Sequence, residues 1–163
     1  MSTILTTLQN HPVKQFGADE TVLEQGARTD LLYVLIEGAV EVLKDQVKVA
    51  SSSEPGAVFG DLSVLLRCPH TASVRTVRPS SFHIVPDPWK YLEENPSVCL
   101  HLCVLIAQRL DAVNKYLVNV KHQFAGHDHM GMVDGALDAL MHRHPRPRVA
   151  PRASTIRDPE ILD

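Results

Sequence analysis

Short runs of alternating apolar and polar residues fill most of the first half of the chain and predict β-strands. The predicted strands cover residues 13–16, 21–25, 31–37, 39–43, 47–51, 71–78 and 81–86. The run at 31–37 is apolar on both faces, as expected for a strand inside a closed double sheet. This density of short strands predicts a mainly β fold with flanking helices, built on a jelly-roll β-barrel of about eight strands.

Helical spacing of apolar residues appears before and after the strand-rich region. It predicts an N-terminal helix over residues 1–10, which the His11-Pro12 pair ends. A short helix is predicted over residues 86–94. The Asn95-Pro96 pair then supplies an N-cap and a first helical residue, and the long C-terminal helix that follows runs to about residue 122.

The long helix carries an apolar seam whose spacings alternate between four and three residues. Its members are Cys99, Cys103, Ile106, Leu110, Val113, Leu117 and Val120. This is the pattern of a coiled coil, so the sequence predicts a homodimer through residues 99–120. The alternative is that the seam covers the protein's own barrel.

Residues 59–74 read FGDLSVLLRCPHTASV and predict a ligand cradle. Gly60 lets the backbone approach a bound group closely because it has no Cβ. The apolar run that follows can form a short helical turn, whose free N–H groups suit an anion. Asp61 offers a carboxylate to sugar hydroxyls, and Pro69 ends the turn before an extended segment.

This stretch resembles the phosphate-binding cassette of the cyclic nucleotide-binding domain family, whose pattern is roughly F-G-E-L/I-A/S-L-L, a spacer, then P-R-T/S-A-T/S-V. The matching positions are Phe59, Gly60, Leu62, Ser63, Leu65, Pro69, Thr71, Ala72, Ser73 and Val74. This family supplies the sensor domain of catabolite-activator-like regulators, protein kinase A regulatory subunits and cyclic nucleotide-gated channels. Two positions differ from the pattern: Asp61 replaces Glu, and His70 replaces the Arg that binds the phosphate.

The resemblance implies a regulatory module that binds cAMP or cGMP and relays binding through its C-terminal helix to an unidentified downstream protein, by population shift. The ligand-binding residues that it implies are Phe59, Gly60, Asp61, Leu62, Ser63, His70, Thr71, Ala72 and Val74. On this basis Gly60 and Asp61 would meet the ribose 2′-hydroxyl. Ser63 and Thr71 would meet the cyclic phosphate, and Val74 would pack near the base.

Histidine at position 70 predicts weak binding, because a neutral imidazole gives one hydrogen bond at best where arginine gives a charged pair. Affinity should fall as pH rises through the histidine pKa, since only the protonated ring brings charge to the phosphate. Arg67 and Arg75 are auxiliary residues that could replace the missing arginine, and Tyr116 is an auxiliary residue that could cap the base. The alternative is a degenerate domain that keeps this fold and binds proteins or a different ligand.

Composition and charge argue against several classes of function. The net charge of -3 over 163 residues gives no general attraction to nucleic acid or to an anionic membrane. No run approaches the roughly 18–20 apolar residues of a membrane span, and the N-terminus lacks a targeting pattern, so we expect a cytoplasmic protein. Three cysteines, an odd count, predict free thiols in a reducing compartment.

We expect the protein to have no enzymatic activity and to bind no metal or cofactor, because no set of catalytic residues is legible in the sequence. A cupin-like enzyme is a further alternative on the same barrel, but the barrel region offers only His70 and His83, too far apart for a cupin metal site. Catabolite-activator-like regulators add a helix-turn-helix after the long helix. No such helix pair is recognisable in this chain, so we expect no direct DNA binding.

The composition changes after the long helix. We therefore expect a domain over residues 1–122 and a mostly flexible tail over residues 123–163, with a short helix near residues 132–141.

Overall fold

The computed structural model describes residues 3–123. Six strands form one antiparallel sheet in these residues: β1 (Val13–Phe16), β2 (Thr21–Leu23), β3 (Leu32–Lys44), β4 (Val47–Ser52), β5 (Val58–Phe59) and β6 (Ser73–Val85). The helices are α1 (Thr3–Thr7), α2 (Asp61–Leu66), α3 (Pro88–Glu94) and α4 (Pro96–Gln123). This confirms the mainly β jelly-roll fold with flanking helices. The predicted closed barrel of about eight strands is wrong, because the described residues contain six strands and the sheet follows the open path β1-β6-β3-β4, with β2 paired to β6 and β5 paired to β3.

Two long strands replace four of the predicted short ones. The predicted breaks at Gly38 and at Pro79-Ser80 are wrong, since β3 and β6 run through them and pair from Leu32↔Val85 to Leu43↔Ser73. Register shifts near Gly38 act as bulges, which bend a ladder without ending it. Gly38 has φ of 116°, and an added Cβ would lie 2.1 Å from the Ser80 hydroxyl oxygen, so only glycine fits at this bend.

Other boundaries lie close to the predicted ones. β1 matches the prediction, while β2 and α1 are shorter than predicted and α3 begins at Pro88. Asn95 precedes α4 as predicted. Its backbone carbonyl accepts hydrogen bonds from the N–H groups of Val98 and Cys99, which closes the first helical turn.

The core consists of two clusters of buried apolar side chains on opposite faces of β3. The helix-side cluster contains Ile4, Leu8, Leu32, Val34, Val58, Val64, Val85, Leu92, Val98 and Leu102. The sheet-interior cluster contains Phe16, Val22, Leu23, Tyr33, Leu35, Val40, Phe59, Val74 and Phe82. Alternate residues of β3 therefore belong to different clusters, as the period of two in a strand requires.

The described residues up to Arg109 form one compact unit, and the part of α4 from Leu110 onward belongs to a second. The predicted domain boundary after residue 122 stays a prediction. The predicted short helix near residues 132–141 lies outside the described residues, as does almost all of the predicted tail.

Within residues 3–123, α4 is the one helix long and apolar enough to cross a membrane by length and composition alone. Only 11% of its most apolar window is buried. Core helices and signal sequences pass the same test, so the predicted absence of a membrane association stays a prediction.

Candidate functional site

A cavity of about 390 Å³ lies beside α2 and is bounded by β4, β5, the start of β6 and the middle of α4. The lining residues are Leu23, Val42, Ala50, Ser51, Ser52, Glu54, Ala57, Val58, Phe59, Gly60, Asp61, Leu62, Ser63, His70, Thr71, Ala72, Val74, Leu105 and Arg109. Every ligand-binding residue implied by the cassette pattern is among them. The structure therefore brings the predicted site residues together around one space.

The entry into α2 depends on Gly60. Its φ is 84°, in the left-handed region, and an added Cβ would lie 2.7 Å from the Leu31 carbonyl oxygen. Any other residue there would be strained and would collide with the backbone. Phe59, just before it, belongs to the sheet-interior cluster. The centre of its ring lies 6.3 Å from the centre of the Phe82 ring, in an edge-to-face contact. The cassette backbone is thus fixed on the sheet side before α2 begins.

His70 is buried and sits in a chain of side-chain hydrogen bonds. Its Nδ1 lies 2.8 Å from Ser63 Oγ, and its Nε2 lies 2.9 Å from Thr29 Oγ1. Ser63 Oγ also donates to the Gly60 carbonyl at 2.9 Å. With its single hydroxyl proton directed there, Nδ1 carries the proton that joins the ring to Ser63. In the neutral ring, Nε2 then accepts from Thr29.

This arrangement gives His70 a structural role, and its predicted contact with the phosphate stays a prediction. Burial lowers the pKa of His70, although the nearby Asp30 carboxylate partly opposes the shift. The neutral ring is satisfied at both nitrogens and brings no charge to a phosphate. Its backbone N–H and C=O also bond Ala27 and Gly26. His70 therefore ties the cassette to the 26–29 loop, and the predicted pH dependence of affinity gains no support from this geometry.

Asp61 and Arg109 form an ion pair at the wall of the cavity. Arg109 Nη1 lies 2.5 Å from Asp61 Oδ2, and Arg109 Nη2 donates to the Val58 carbonyl at 2.9 Å. The Asp61 side chain is 7% exposed, whereas that of Arg109 is 49% exposed. A buried carboxylate requires such a partner, and this one comes from α4 rather than from the cassette.

The predicted auxiliary residues lie elsewhere. Arg67 places its guanidinium 4.6 Å from the centre of the Trp89 ring, and Arg75 pairs with Glu41 on the exposed surface of the sheet. Neither residue lines the cavity. Tyr116 lies on α4 beyond Arg109 with its side chain 68% exposed, and its predicted role as a base cap stays a prediction.

The lining of the cavity combines apolar side chains with a few polar groups, as small-molecule sites do. Leu23, Val42, Ala57, Val74 and Leu105 supply apolar walls. The polar lining groups include the hydroxyls of Ser51 and Ser52, the carboxylates of Glu54 and Asp61, and the guanidinium of Arg109. Among residues 3–123 no cluster of three histidine, cysteine or acidic side chains could hold a metal ion.

Arg109 is the principal site residue that the sequence pattern does not reveal. It faces Asp61 across 48 positions of sequence, a contact that no local pattern reveals. A weak signal was present, because Arg109 is the first Lys or Arg in α4 and follows a long apolar run. A long charged side chain beside a helix face that packs on the core can reach a buried acidic group.

Comparison with known proteins places this geometry in a family. Residues 13–87 match the family model described as the cyclic nucleotide-binding domain. A cAMP-dependent protein kinase regulatory subunit of Yarrowia lipolytica is 38% identical over 74 residues, which is 45% of this chain and 20% of that relative. The match therefore spans about a fifth of the relative's length.

Solved structures share the fold at lower identity. The catabolite activator protein of Thermus thermophilus aligns with a TM-score of 0.63 and 21% identity, over 72% of this chain and 58% of that one. A cyclic nucleotide-binding domain from Methylobacillus flagellatus aligns with a TM-score of 0.59 and 22% identity, over 66% of each chain. The family match and the protein kinase relative identify residues 13–87 of this chain as a cyclic nucleotide-binding domain, and the solved structures share its fold.

Proposed function

We propose that the cavity binds a cyclic mononucleotide, cAMP or cGMP, and that the protein is a regulatory sensor. The observation that carries the proposal is that all the residues implied by the cassette pattern line one cavity of about 390 Å³. Small-molecule sites typically enclose about 300–1,000 Å³ and combine apolar walls with a few polar groups. The Yarrowia lipolytica relative is a cAMP-dependent protein kinase regulatory subunit, which supports the same ligand class.

The chemistry assigns the two ends of such a ligand to different walls. The free oxygen of the Asp61 carboxylate would accept a hydrogen bond from a ribose hydroxyl. The purine would lie along the apolar side chains of Val42 and Val74, where burying its faces stabilises the complex. His70 would stabilise the cassette through its hydrogen bonds and would offer no charged group to the phosphate.

Relay of binding would use α4, because Leu105 and Arg109 bring this helix to the cavity wall. A ligand that contacts both the cassette and α4 has different affinities for states in which α4 lies closer or farther away. That difference is what shifts a population, and no bond is made or broken. The proposal assigns the protein no enzymatic activity.

Isothermal titration calorimetry with cAMP, cGMP and 5′-AMP tests the proposal. Ala50→Trp would place an indole in the cavity, whereas Val47→Trp changes an exposed residue of β4 that does not line it. A cyclic mononucleotide should bind the unmodified protein and Val47→Trp alike, and Ala50→Trp should weaken binding by roughly tenfold or more. If no cyclic mononucleotide binds the unmodified protein at millimolar concentration, the proposal fails and the alternative of a protein-interaction domain replaces it.

We also propose that the protein forms a homodimer through residues 99–120. Part of the apolar seam covers the protein's own core, since Cys99 and Ile106 pack against the helix-side cluster. Farther along, Leu110 and Val113 are 42% and 49% exposed. A helix that leaves this many apolar side chains in water gains stability when a second copy covers them.

A cytoplasmic location belongs to the same proposal. Cys68, Cys99 and Cys103 are all free thiols, which a reducing compartment maintains. The downstream protein would be recognised by whichever surface of α4 changes on ligand binding.

A further inference from the structure

The charges around the cavity do not favour an anionic ligand by themselves. Asp61 and Glu54 contribute two carboxylates to the lining, and Arg109 contributes one guanidinium. Burial lowers the pKa of His70, so at neutral pH the lining has a net charge of -1, from two carboxylates and one guanidinium. A phosphodiester in such a site needs a directed positive charge, because partly desolvated anions are costly without one.

Arg109 is the one cationic side chain among the described residues that line this cavity. Asp61 and the Val58 carbonyl accept two of its N–H groups, which fixes the plane of the guanidinium. A guanidinium has five N–H donors, so this anchoring leaves others for a ligand. Its side chain is 49% exposed and lines the cavity, so part of the guanidinium remains available to a ligand.

We propose that Arg109, a residue of α4, binds the anionic group of the ligand and determines the preference of the site for phosphorylated over unphosphorylated nucleosides. This inference rests on the proposed cyclic nucleotide function and deepens it. Asp61 is then a positioning residue for the guanidinium as well as a sugar contact. Charge-assisted, geometrically fixed hydrogen bonds of this kind are the strong ones in ligand recognition.

The same ion pair permits an opposite role, in which Arg109 blocks the site. If a ribose hydroxyl had to displace Arg109 from Asp61, the ion pair would compete with every ligand that carries ribose. Removing Arg109 would then tighten binding. The two roles therefore predict opposite changes in affinity, and a single variant distinguishes them.

The experiment is a cycle that removes the guanidinium and the phosphate separately. Calorimetry measures the Kd of cAMP and of adenosine for the unmodified protein and for Arg109→Gln. We expect Arg109→Gln to weaken cAMP roughly 10- to 100-fold and adenosine less than about threefold. Lys115→Gln is the matched control, because it removes one exposed positive charge from the same helix and should change neither Kd.

Arg109→Lys keeps the charge but loses the planar fork, so its preference for cAMP over adenosine should be intermediate. If thermal unfolding shows that Arg109→Gln is not folded, Arg109→Lys replaces it in the experiment. Equal weakening of both ligands, or tighter binding of either, would overturn the proposed role of Arg109 while leaving the nucleotide site in place. Failure of the unmodified protein to bind cAMP would instead overturn the proposed function and this inference with it.

Discussion

Replacing His70 with alanine should destabilise the domain, because it removes the centre of a buried hydrogen-bond chain. The substitution deletes the bonds to Ser63 Oγ and Thr29 Oγ1, at 2.8 and 2.9 Å. It also empties the volume of an imidazole that is only 4% exposed. Ser63 keeps its bond to the Gly60 carbonyl, so the cassette should lose its link to the 26–29 loop and not its own turn.

The expected cost follows from these contacts. Two neutral hydrogen bonds contribute about 1 kcal/mol each, and the space left by a deleted buried side chain adds about 1–2 kcal/mol. The total of about 3–4 kcal/mol should lower Tm by roughly 6–15 °C in a domain of this size.

The effect should depend on pH in a definite direction. Burial lowers the pKa of His70 in the folded state, so the unfolded chain binds a proton more readily. The stability that this histidine contributes is complete above about pH 6.5 and is lost as pH falls through its lowered folded pKa. Since burial also lowers the pKa of His11, some acid sensitivity should remain in His70→Ala.

Urea unfolding followed by Trp89 fluorescence at pH 7.5 and pH 5.5 measures both effects. The unmodified protein should lose more stability between these two pH values than His70→Ala does. His122→Ala, an exposed histidine near the end of α4, is the control and should change stability by less than about 0.5 kcal/mol. A His70→Ala protein with an unchanged midpoint at pH 7.5, or with the full acid sensitivity, would refute the reasoning.

Three further predictions follow from other parts of the structure. Gly60→Ala should cost about 2–4 kcal/mol in urea unfolding, because its Cβ would lie 2.7 Å from a carbonyl oxygen at a φ of 84°; an unchanged midpoint would mean that the turn relaxes freely. Thr76→Val should cost about 2–3 kcal/mol by the same assay, because it removes a fully buried hydroxyl that hydrogen-bonds the Glu20 N–H and the Gly17 carbonyl. A neutral effect would show that water replaces the hydroxyl. Leu110→Glu combined with Leu117→Glu should give monomers in sedimentation experiments. An unmodified protein that is already monomeric at high micromolar concentration would disprove the dimer.

The parts of the site that the sequence predicted are those within one contiguous stretch. The cassette is legible because Gly60 and Ser63 act within the turn itself, where the Gly60 carbonyl accepts hydrogen bonds from Ser63 Oγ and the Val64 N–H. The ion pair and the histidine chain are not legible, because Asp61 meets Arg109 across 48 residues and His70 meets Thr29 across 41. Contacts at that range depend on how α4 and the 26–29 loop pack, which no local pattern determines.

The strand predictions failed at Gly38 and at Pro79-Ser80 for a related reason. Glycine and proline are the strongest local signals for a turn. Read locally, they predict that one strand ends before Gly38 and another before Pro79. In the folded sheet the two signals lie opposite each other, with the Ser80 hydroxyl against the site of the missing Gly38 side chain. Two breaks that face each other become one shared bend, and pairing continues on both sides.

The division of β3 between two clusters has a consequence for how the domain opens. Leu32 and Val34 pack among the helices while Tyr33 and Leu35 pack inside the sheet, and Val58 and Phe59 of β5 divide in the same way. If one cluster unfolded, β3 and β5 would lose the packing on one face, and the other cluster depends on the same strands. Both clusters should therefore unfold in one cooperative transition. The amide protons of β3 should then exchange with solvent only through global opening, whereas those near the end of α4 should exchange through local fraying.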